Sequence, residues 1–288
     1  MSVRVAELFD AMAPDYDVLE PWYEHFYARL NAILRKALAP PAGAPRLRAL
    51  DAGCGNGFQT ALLQDLGYDT HGVDLAAALL AVARRRLPKA ALARGDVTAL
   101  PYREASFDVV SCCGSTLSFV DEADAALTEI ARVLRPGGRL LLECEHKWSL
   151  DLAWTAASAL TGNALGYGTS VSTLWRALRR PLSAEVVLPY PGYGNVTLFS
   201  RRDLVTRLAR VGLRAQRSWG IHALTNVIPS TVLHRRRVSR PLAALYRALR
   251  ALDTAFAPPA VANSIVVLAA KPRQTSTATG APPSAAER

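Results

Sequence analysis

The stretch Ala49-Leu-Asp51-Ala-Gly53-Cys-Gly55-Asn-Gly57 decides the fold, because it joins a short apolar strand to a turn with three alternate glycines. Glycine lets a backbone turn tightly and approach a ligand closely, so that free N–H groups can face an anion. Dinucleotide-binding enzymes also have a glycine-rich turn after a strand, but with the spacing GxGxxG. Here the spacing is GxGxG, which is a weak signal when taken alone.

The acid at the end of this strand separates the two ligand classes. Asp51 stands two residues before Gly53, where its carboxylate would repel a pyrophosphate. The ammonium and sulfonium of S-adenosylmethionine (SAM) would instead be attracted. The turn therefore predicts a SAM site and disfavours an NAD-dependent oxidoreductase.

Acids also end the next two predicted strands. His71-Gly-Val-Asp74-Leu75 places a carboxylate where it can accept hydrogen bonds from both ribose hydroxyls, and Gly95-Asp96-Val97 places one for the adenine amino group. One such acid is equally well explained as a helix cap. Three of them beside a glycine turn favour a nucleoside site, because hydrogen bonds to charged groups contribute about 1.5–3 kcal/mol each.

Strands and helices alternate along the first half of the chain, which predicts right-handed βαβ units and a parallel sheet. The predicted strands cover residues 47–52, 69–74, 91–96, 107–113, 139–145, 213–219 and 264–270. Ligands bind outside the carboxyl ends of the strands in such sheets. We therefore expect an α/β, Rossmann-like domain with helices on both faces.

Two long segments interrupt the alternation, and both leave the carboxyl ends of predicted strands, over the expected ligand cleft. The expected organisation is an N-terminal helical lid at 1–40, a SAM-binding core at 46–145, an active-site insertion at 146–198, a C-terminal part of the core at 199–272 with a basic helical insertion at 221–262, and a disordered tail at 273–288.

In combination the motifs resemble class I SAM-dependent methyltransferases, especially the group that includes the quinone-biosynthesis C-methyltransferases. The matching segments are Leu50–Gly57, Gly72–Asp74, Gly95–Val97, Leu100-Pro101, Phe107–Val110 and Glu129–Gly138 followed by Arg139–Leu142. The resemblance implies a seven-stranded, mostly parallel sheet with one antiparallel strand, under α-rich lid insertions.

Carried over position by position, the resemblance also implies the residues that hold SAM. They are Asp51, Gly53, Cys54, Gly55 and Gly57 around the methionine moiety, Asp74 and Leu75 at the ribose and adenine, Asp96 and Val97 at the adenine, and Cys113 and Gly114 beside the methionine end. The opening Phe9–Asp17 resembles the N-terminal lid of the family, which implies that Tyr16 lies near the cofactor.

Methyl transfer from a sulfonium needs positioning, desolvation and sometimes a base, so no catalytic signature is obligatory. His146 follows Glu143-Cys-Glu145 at the end of the fifth strand and is a candidate base; orienting the lid or capping the strand is the alternative. His222 leaves the sixth strand on the same face and is a second candidate. Tyr16 is the third candidate, from the lid.

The cysteines Cys54, Cys112, Cys113 and Cys144 lie in apolar segments without a CxxC pair. This argues against a disulfide framework and against a metal site, and favours a reducing cytoplasm. We expect no signal peptide, since no basic stretch leads into an apolar run, and no membrane span at 152–166, which is short and polar.

The net charge of +10 is concentrated near the carboxyl end, because residues 201–250 hold twelve arginines and one acid. A helix beginning near Pro241 is expected to place Leu242, Leu245, Leu249 and Leu252 on one face. It is either a lid helix or, over 232–252, a basic amphipathic surface that contacts anionic lipid. An acidic small molecule or a nucleic acid is a further alternative.

The expected function is methyl transfer to a small, hydrophobic or lipid-like acceptor, at carbon, oxygen or nitrogen. The arginines also allow an RNA methyltransferase, but Cys112-Cys113-Gly114-Ser115 stands where an Asn/Asp-Pro-Pro-Tyr motif would, and no RNA-binding module is apparent. A nucleic-acid partner is therefore disfavoured. A non-catalytic SAM-binding or interaction protein is the remaining alternative.

Overall fold

The computed structural model describes residues 3–14, 21–179, 185–190, 194–233 and 238–273. The strands are β1 (Arg48–Ala52), β2 (Asp69–Asp74), β3 (Ala91–Arg94), β4 (Phe107–Cys112), β5 (Leu134–Glu145), β6 (Val186–Tyr190), β7 (Gly194–Leu198), β8 (Arg214–Ile221) and β9 (Ser264–Ala270). The helices are α1 (Val3–Met12), α2 (Pro21–Ala37), α3 (Phe58–Asp65), α4 (Ala77–Arg86), α5 (Ala123–Val133), α6 (Leu150–Leu160), α7 (Val171–Leu178), α8 (Arg201–Arg210), α9 (Ser230–Leu233) and α10 (Arg240–Ala255).

One seven-stranded sheet organises the chain, in the order β3-β2-β1-β4-β5-β9-β8. Strand β9 runs antiparallel to both of its neighbours, and the other paired strands are parallel. The predicted seven-stranded, mostly parallel sheet is thus confirmed. Asp51 pairs with Gly72 on one side and Ser111 on the other, so the ends of β1, β2 and β4 lie at one edge.

Alternate residues of the central strands enter two hydrophobic cores, because successive side chains of a strand point to opposite faces. Leu50 and Val110 pack with residues of α5 and α8, whereas Ala49 and Val109 pack with residues of α2 and α3. Both faces are therefore covered by helices, and the near-continuous apolar runs of these strands follow from that.

The first insertion contains more than helices. Strands β6 and β7 form a separate two-stranded antiparallel sheet. Val186 and Leu188 of β6 are buried in a small core with Leu174 of α7. Pro189 and Gly194, which are typical of turns, lie within these two strands. Helix α6 covers most of the segment 152–166, and no helix in the described ranges is long and apolar enough to cross a membrane.

Helix α10 packs only part of its leucine face on the protein. Leu242 and Leu249 pack on the chain, but Leu245 and Leu252 are 52% and 55% exposed, so the four leucines expected on one face are divided between packed and exposed positions. The buried positions are instead Tyr246 and Asp253. Their polar contacts set the rotation: Tyr246 Oη donates to the carbonyl of Pro21, at 2.9 Å.

Substituting Gly220 at the end of β8 should destabilise the fold. A Cβ there would lie 2.6 Å from Ala262 Cβ and 3.0 Å from the carbonyl oxygen of Ala257, so Gly220→Ala forces the backbone apart. We expect a loss of about 1–3 kcal/mol in the free energy of unfolding, measured in urea. Gln216→Ala, at an exposed position of the same strand, is the control and should change it by less than about 0.5 kcal/mol. Equal stability of both variants would contradict this account of the packing.

Candidate active site

The glycine turn adopts a backbone that only glycine takes without strain. The φ angles are +81° at Gly53, +50° at Gly55 and +88° at Gly57, which begins α3. The N–H groups of Gly53 and Cys54 donate to the carbonyl of Val73, at 2.8 and 3.0 Å. The turn is therefore fastened to the end of β2.

Open space lies over part of this turn. A Cβ on Gly55 would meet no atom closer than Leu79 Cδ1 at 3.8 Å, and one on Gly114 none closer than Tyr27 Oη at 4.0 Å. At Gly53, by contrast, a Cβ would lie 2.3 Å from Thr116 Oγ1. Gly53 thus allows two protein segments to meet, while Gly55 and Gly114 leave room for a ligand.

Asp74 joins the turn to the next helix. Its Oδ2 accepts from the N–H of Gly55 and its Oδ1 from the N–H of Ala76, both at 2.8 Å. Burial raises the pKa of Asp74, and the charge of Asp10 adds to this effect. Each carboxylate oxygen has further lone pairs, so two more donors can be accepted here.

Asp51 lies beneath the turn and is 1% exposed. The Thr60 hydroxyl donates to its Oδ2 at 2.7 Å. Burial raises the pKa of Asp51 to about 7, against the hydrogen bonds from Thr60 and Ser111. This carboxylate therefore links the end of β1 to helix α3, which follows the glycine turn.

Asp96 follows β3 at the same edge of the sheet. Its Oδ1 accepts from both the N–H and the hydroxyl of Thr98, at 2.9 Å. Leu75 is half-buried and Val97 is buried. A carboxylate acceptor at the same strand ends as these apolar side chains suits a flat ring with an amino group on its edge, so the residues present fit an adenine.

Helix α1 crosses this edge. Asp10 Oδ1 accepts from the N–H of Ala78 at 2.7 Å, and the ring centroid of Phe9 lies 5.3 Å from that of Phe119, after β4. The helix thus reaches from the start of α4 to the segment beyond β4. Tyr16, the candidate of this region, lies outside the described residues.

The end of β4 contributes a thiol, an open glycine and a strained serine. Cys113 is buried and its Sγ donates to the carbonyl of Leu141, at 3.6 Å. Burial holds the pKa values of the thiols of Cys113 and Cys54 well above the ordinary range, so neither is a thiolate nucleophile. Ser115 has a φ of +59°.

His146 is 2% exposed, at the end of β5. Its Nδ1 lies 3.0 Å from the carbonyl oxygen of Ala262, which can only accept, and its backbone N–H donates to Asn263. The ring is therefore an Nδ1–H tautomer with a basic Nε2 when neutral. Burial lowers the pKa of His146 and keeps the ring neutral near pH 7.

His222 lies in a different place, enclosed between α2 and the segment after β8. Its ring stacks on Trp22 with centroids 3.6 Å apart, and its Nδ1 and Nε2 lie 2.9 Å from Thr225 Oγ1 and 3.1 Å from the Trp22 carbonyl. The structure brings it together with His25 and Asp253, not with the glycine turn.

Backbone and side-chain donors satisfy the carboxylate of this cluster. Asp253 accepts from the N–H groups of Leu224 and Thr225 and from the Thr225 hydroxyl. Burial alone would raise the pKa of Asp253, but the hydrogen bonds from its neighbours hold it at about 2. The cluster anchors α10 on α2 and stabilises the unusual backbone of His222, whose φ is +58°.

Two kinds of residue at this edge carried no clear sequence signal. Tyr27, on α2, reaches Gly114 only because α2 packs across the sheet. Glu143 and Glu145 both accept hydrogen bonds from Ser115, at 2.7 and 2.8 Å. The sequence shows only that Glu143 and Glu145 are two residues apart in a strand, which puts both side chains on one face of the sheet.

A family model described as a methyltransferase domain matches residues 50–142. The demethylmenaquinone methyltransferase of Beutenbergia cavernae is 32% identical over 241 residues, 81% of this chain and 90% of that protein. The chain belongs to the class I SAM-dependent methyltransferases. SAM is therefore the methyl donor of this methyltransferase, and the expected enzyme class and cofactor are confirmed.

Two further proteins resemble the methyltransferase. The malonyl-[acyl-carrier protein] O-methyltransferase of Serratia marcescens is 31% identical over 194 residues, 65% of this chain and 72% of that protein. The structure of Burkholderia thailandensis 1,6-didemethyltoxoflavin-N1-methyltransferase, with 1,6-didemethyltoxoflavin and S-adenosylhomocysteine bound, aligns with a TM-score of 0.54 at 18% identity, over 93% of this chain and 87% of that one. The second likeness shows a common fold.

Asp74→Ala should weaken SAM binding about tenfold or more, because a hydrogen bond to a charged group contributes about 1.5–3 kcal/mol. Isothermal titration calorimetry measures the affinity, and thermal melting checks that the variant is folded. Asp65→Ala, at the other end of α3, removes an exposed carboxylate and should leave the affinity unchanged. Unchanged affinity in folded Asp74→Ala would refute a ribose site at this residue.

Proposed function

We propose that this methyltransferase transfers the methyl group of SAM to a small, hydrophobic or lipid-like acceptor. The observation that supports this proposal best is the position of the Asp74 carboxylate. It accepts from the N–H groups of Gly55 and Ala76, at a turn where a Cβ on Gly55 would meet no atom closer than 3.8 Å. A nucleoside bound there has its sulfonium directed along the glycine turn towards the ends of β4 and β5. Methyl transfer would then occur below the two insertions.

The proposed roles of the cofactor residues follow the chemistry at each strand end. Asp74 accepts from the ribose hydroxyls beside Leu75, and Asp96 accepts from the adenine amino group beside Val97. Asp51 holds the turn and attracts the ammonium of SAM. The methionine moiety is proposed to contact Gly53, Cys54, Gly55, Gly57, Cys113 and Gly114.

The lid roles are also proposals. Helix α1, which contacts both α4 and the segment after β4, is proposed to close over the cofactor, with Tyr16 beyond its end. His146, neutral and buried, is proposed to orient the loop that holds Ala262. His222 is proposed to anchor the C-terminal insertion, since both of its ring nitrogens face protein acceptors or hydroxyls.

The acceptor class rests on the names of the relatives and on exposed apolar side chains. The names of the relatives give demethylmenaquinone and, for an O-methyltransferase, a malonyl group on a carrier protein, so they leave open which atom of the acceptor is methylated. On α6 and α7 the exposed large apolar residues are Leu150, Leu160, Val171, Trp175 and Leu178. Such a surface beside the cleft favours a hydrophobic acceptor.

We also propose peripheral contact with anionic lipid through 232–252. On α10, Leu245 and Leu252 are exposed at a spacing of seven residues, and Phe256 extends the same side. Arg240 and Arg247 are also exposed, on other sides of the helix. A helix that combines exposed apolar side chains with exposed arginines suits the headgroup region of an anionic membrane. A cytoplasmic location is proposed because Cys54, Cys112, Cys113 and Cys144 are all unpaired.

Incubation with methyl-labelled SAM should label a lipid-soluble product. The acceptors are a lipid extract containing demethylmenaquinone, malonyl-carrier protein and total RNA, each offered separately. Asp74→Ala should lose the labelling at limiting SAM, and Asp65→Ala should keep it. Labelling of RNA alone would favour the RNA methyltransferase, and SAM binding without any transfer would favour a non-catalytic protein.

Binding to vesicles should depend on anionic lipid and on the exposed leucines. The double variant Leu245→Ser/Leu252→Ser should bind phosphatidylglycerol vesicles about tenfold more weakly, because each leucine loses its apolar burial. Val187→Ser, on β6, removes an apolar residue that is 39% exposed and serves as the matched control. Equal co-sedimentation with neutral phosphatidylcholine vesicles would remove the proposed membrane contact.

A further inference from the structure

Two glutamates lie on the same face at the carboxyl end of β5. Glu143 and Glu145 are separated by one residue, so they share the face of Leu141, which packs with residues of α2. Glu143 is fully buried, whereas Glu145 is half-buried. Only Glu145 is therefore open to the surroundings of the chain at this edge.

Ser115 holds both carboxylates against the end of β4. Its backbone N–H donates to Glu143 Oε2 at 2.7 Å, and its hydroxyl donates to Glu145 Oε1 at 2.8 Å. Asn263 donates from its side chain to Glu145 Oε2 at 2.9 Å. The positive φ of Ser115 aims both of its donors at the pair. Ser115 directly follows Gly114, so the pair adjoins the open space at the methionine end of the proposed cofactor site.

The surroundings of the pair contain no compensating cation. Across the described ranges, neither carboxylate takes part in an ion pair with lysine, arginine or histidine. The titratable groups that interact electrostatically with the pair are the thiols of Cys112 at the end of β4 and of Cys113 just after it, Cys144 on β5 itself, and Asp151 on α6. From β9 and the residue before it come only the hydroxyl of Ser264 and the amide of Asn263.

Burial and mutual repulsion therefore favour a protonated form. Burial raises the pKa of Glu143 to about 7, and burial together with the charge of Glu143 raises the pKa of Glu145 to about 8. Two such groups titrate as a pair, so near neutral pH they hold about one proton between them. A base with a pKa near the working pH is the most effective kind.

We infer that the Glu143–Glu145 pair accepts the proton which the acceptor loses on methylation, with Glu145 as the group that meets the acceptor. This inference rests on the proposed function. An electron pair of the acceptor forms the new bond to the methyl carbon, while the C–S bond breaks and its electrons remain on sulfur. The proton of the acceptor's C–H, O–H or N–H group moves to Glu145 Oε, so the pair gains one proton and loses one negative charge.

The pair and His146 predict different pH dependence. Either base must be deprotonated, so the rate rises with pH through the pKa of the base. Burial lowers the pKa of His146 below its ordinary value of 6.5, so a histidine base would already be fully active at pH 7. A glutamate pair makes the rate rise between about pH 6.5 and 8.5.

Three variants test the inference. Their methyl transfer is measured with whichever of the acceptors offered above the wild-type protein labels. Glu145→Gln should lower kcat/KM about a hundredfold and abolish the rise with pH, with SAM affinity by calorimetry unchanged. Glu143→Gln should remain active but shift the rise to lower pH, because it removes the repulsion on Glu145. Glu122→Gln, an exposed carboxylate before α5, is the matched control and should behave as wild type.

Infrared titration of the wild-type protein gives a readout that needs no acceptor. The C=O bands of protonated carboxyl groups should weaken as the pH rises from about 6 to 9, and Glu145→Gln should remove part of that change, while the part due to Asp51, whose pKa is also about 7, should remain. A change of equal size in the wild-type protein and in Glu145→Gln, or a Glu145→Gln enzyme with the wild-type pH profile, would overturn the inference. Failure of the wild-type protein to transfer any methyl group would instead overturn the proposed function, whatever the infrared result.

Discussion

The carboxylate of Asp74 is the contact on which the cleft depends. It accepts one N–H from the glycine turn and one from the start of α4, so two loops that carry no regular structure are held together by one buried acid. The positive φ angles at Gly53, Gly55 and Gly57 are what permit this approach. With Asp51 beneath the turn and Asp96 beside it, the edge of the sheet is negative where a pyrophosphate would need positive charge.

Local patterns sufficed for the sheet and for the glycine turn. The seven strands follow from apolar runs bounded by turn residues, and the glycine turn follows from a spacing that leaves little choice of backbone. The start of α8 is likewise a local feature, because Ser200 accepts from the N–H of Asp203 as a helix cap should. These features depend on residues close in the sequence, and that is why a sequence can reveal them.

Features that depend on distant partners could not be read in this way. The rotation of α10 is set by Tyr246 and Asp253, whose acceptor and donors lie on α2 and after β8. Leucine spacing alone therefore does not show which leucines of the helix pack on the protein. Strands β6 and β7 contain Pro189 and Gly194, which are typical of turns. His222 resembles a base at a strand end, yet packing against Trp22 encloses it. The hydrogen bonds of Glu145 are made by Ser115 and Asn263, which are distant from it in the sequence, so its surroundings could not be predicted from the sequence.

Equilibrium dialysis of the purified chain against SAM and, separately, NAD tests the central electrostatic claim most directly. A cleft lined by Asp51, Asp74 and Asp96 should retain the cationic nucleoside and exclude the dinucleotide, and its preference for SAM should weaken as salt is added. Retention of NAD with no measurable retention of SAM would contradict the account.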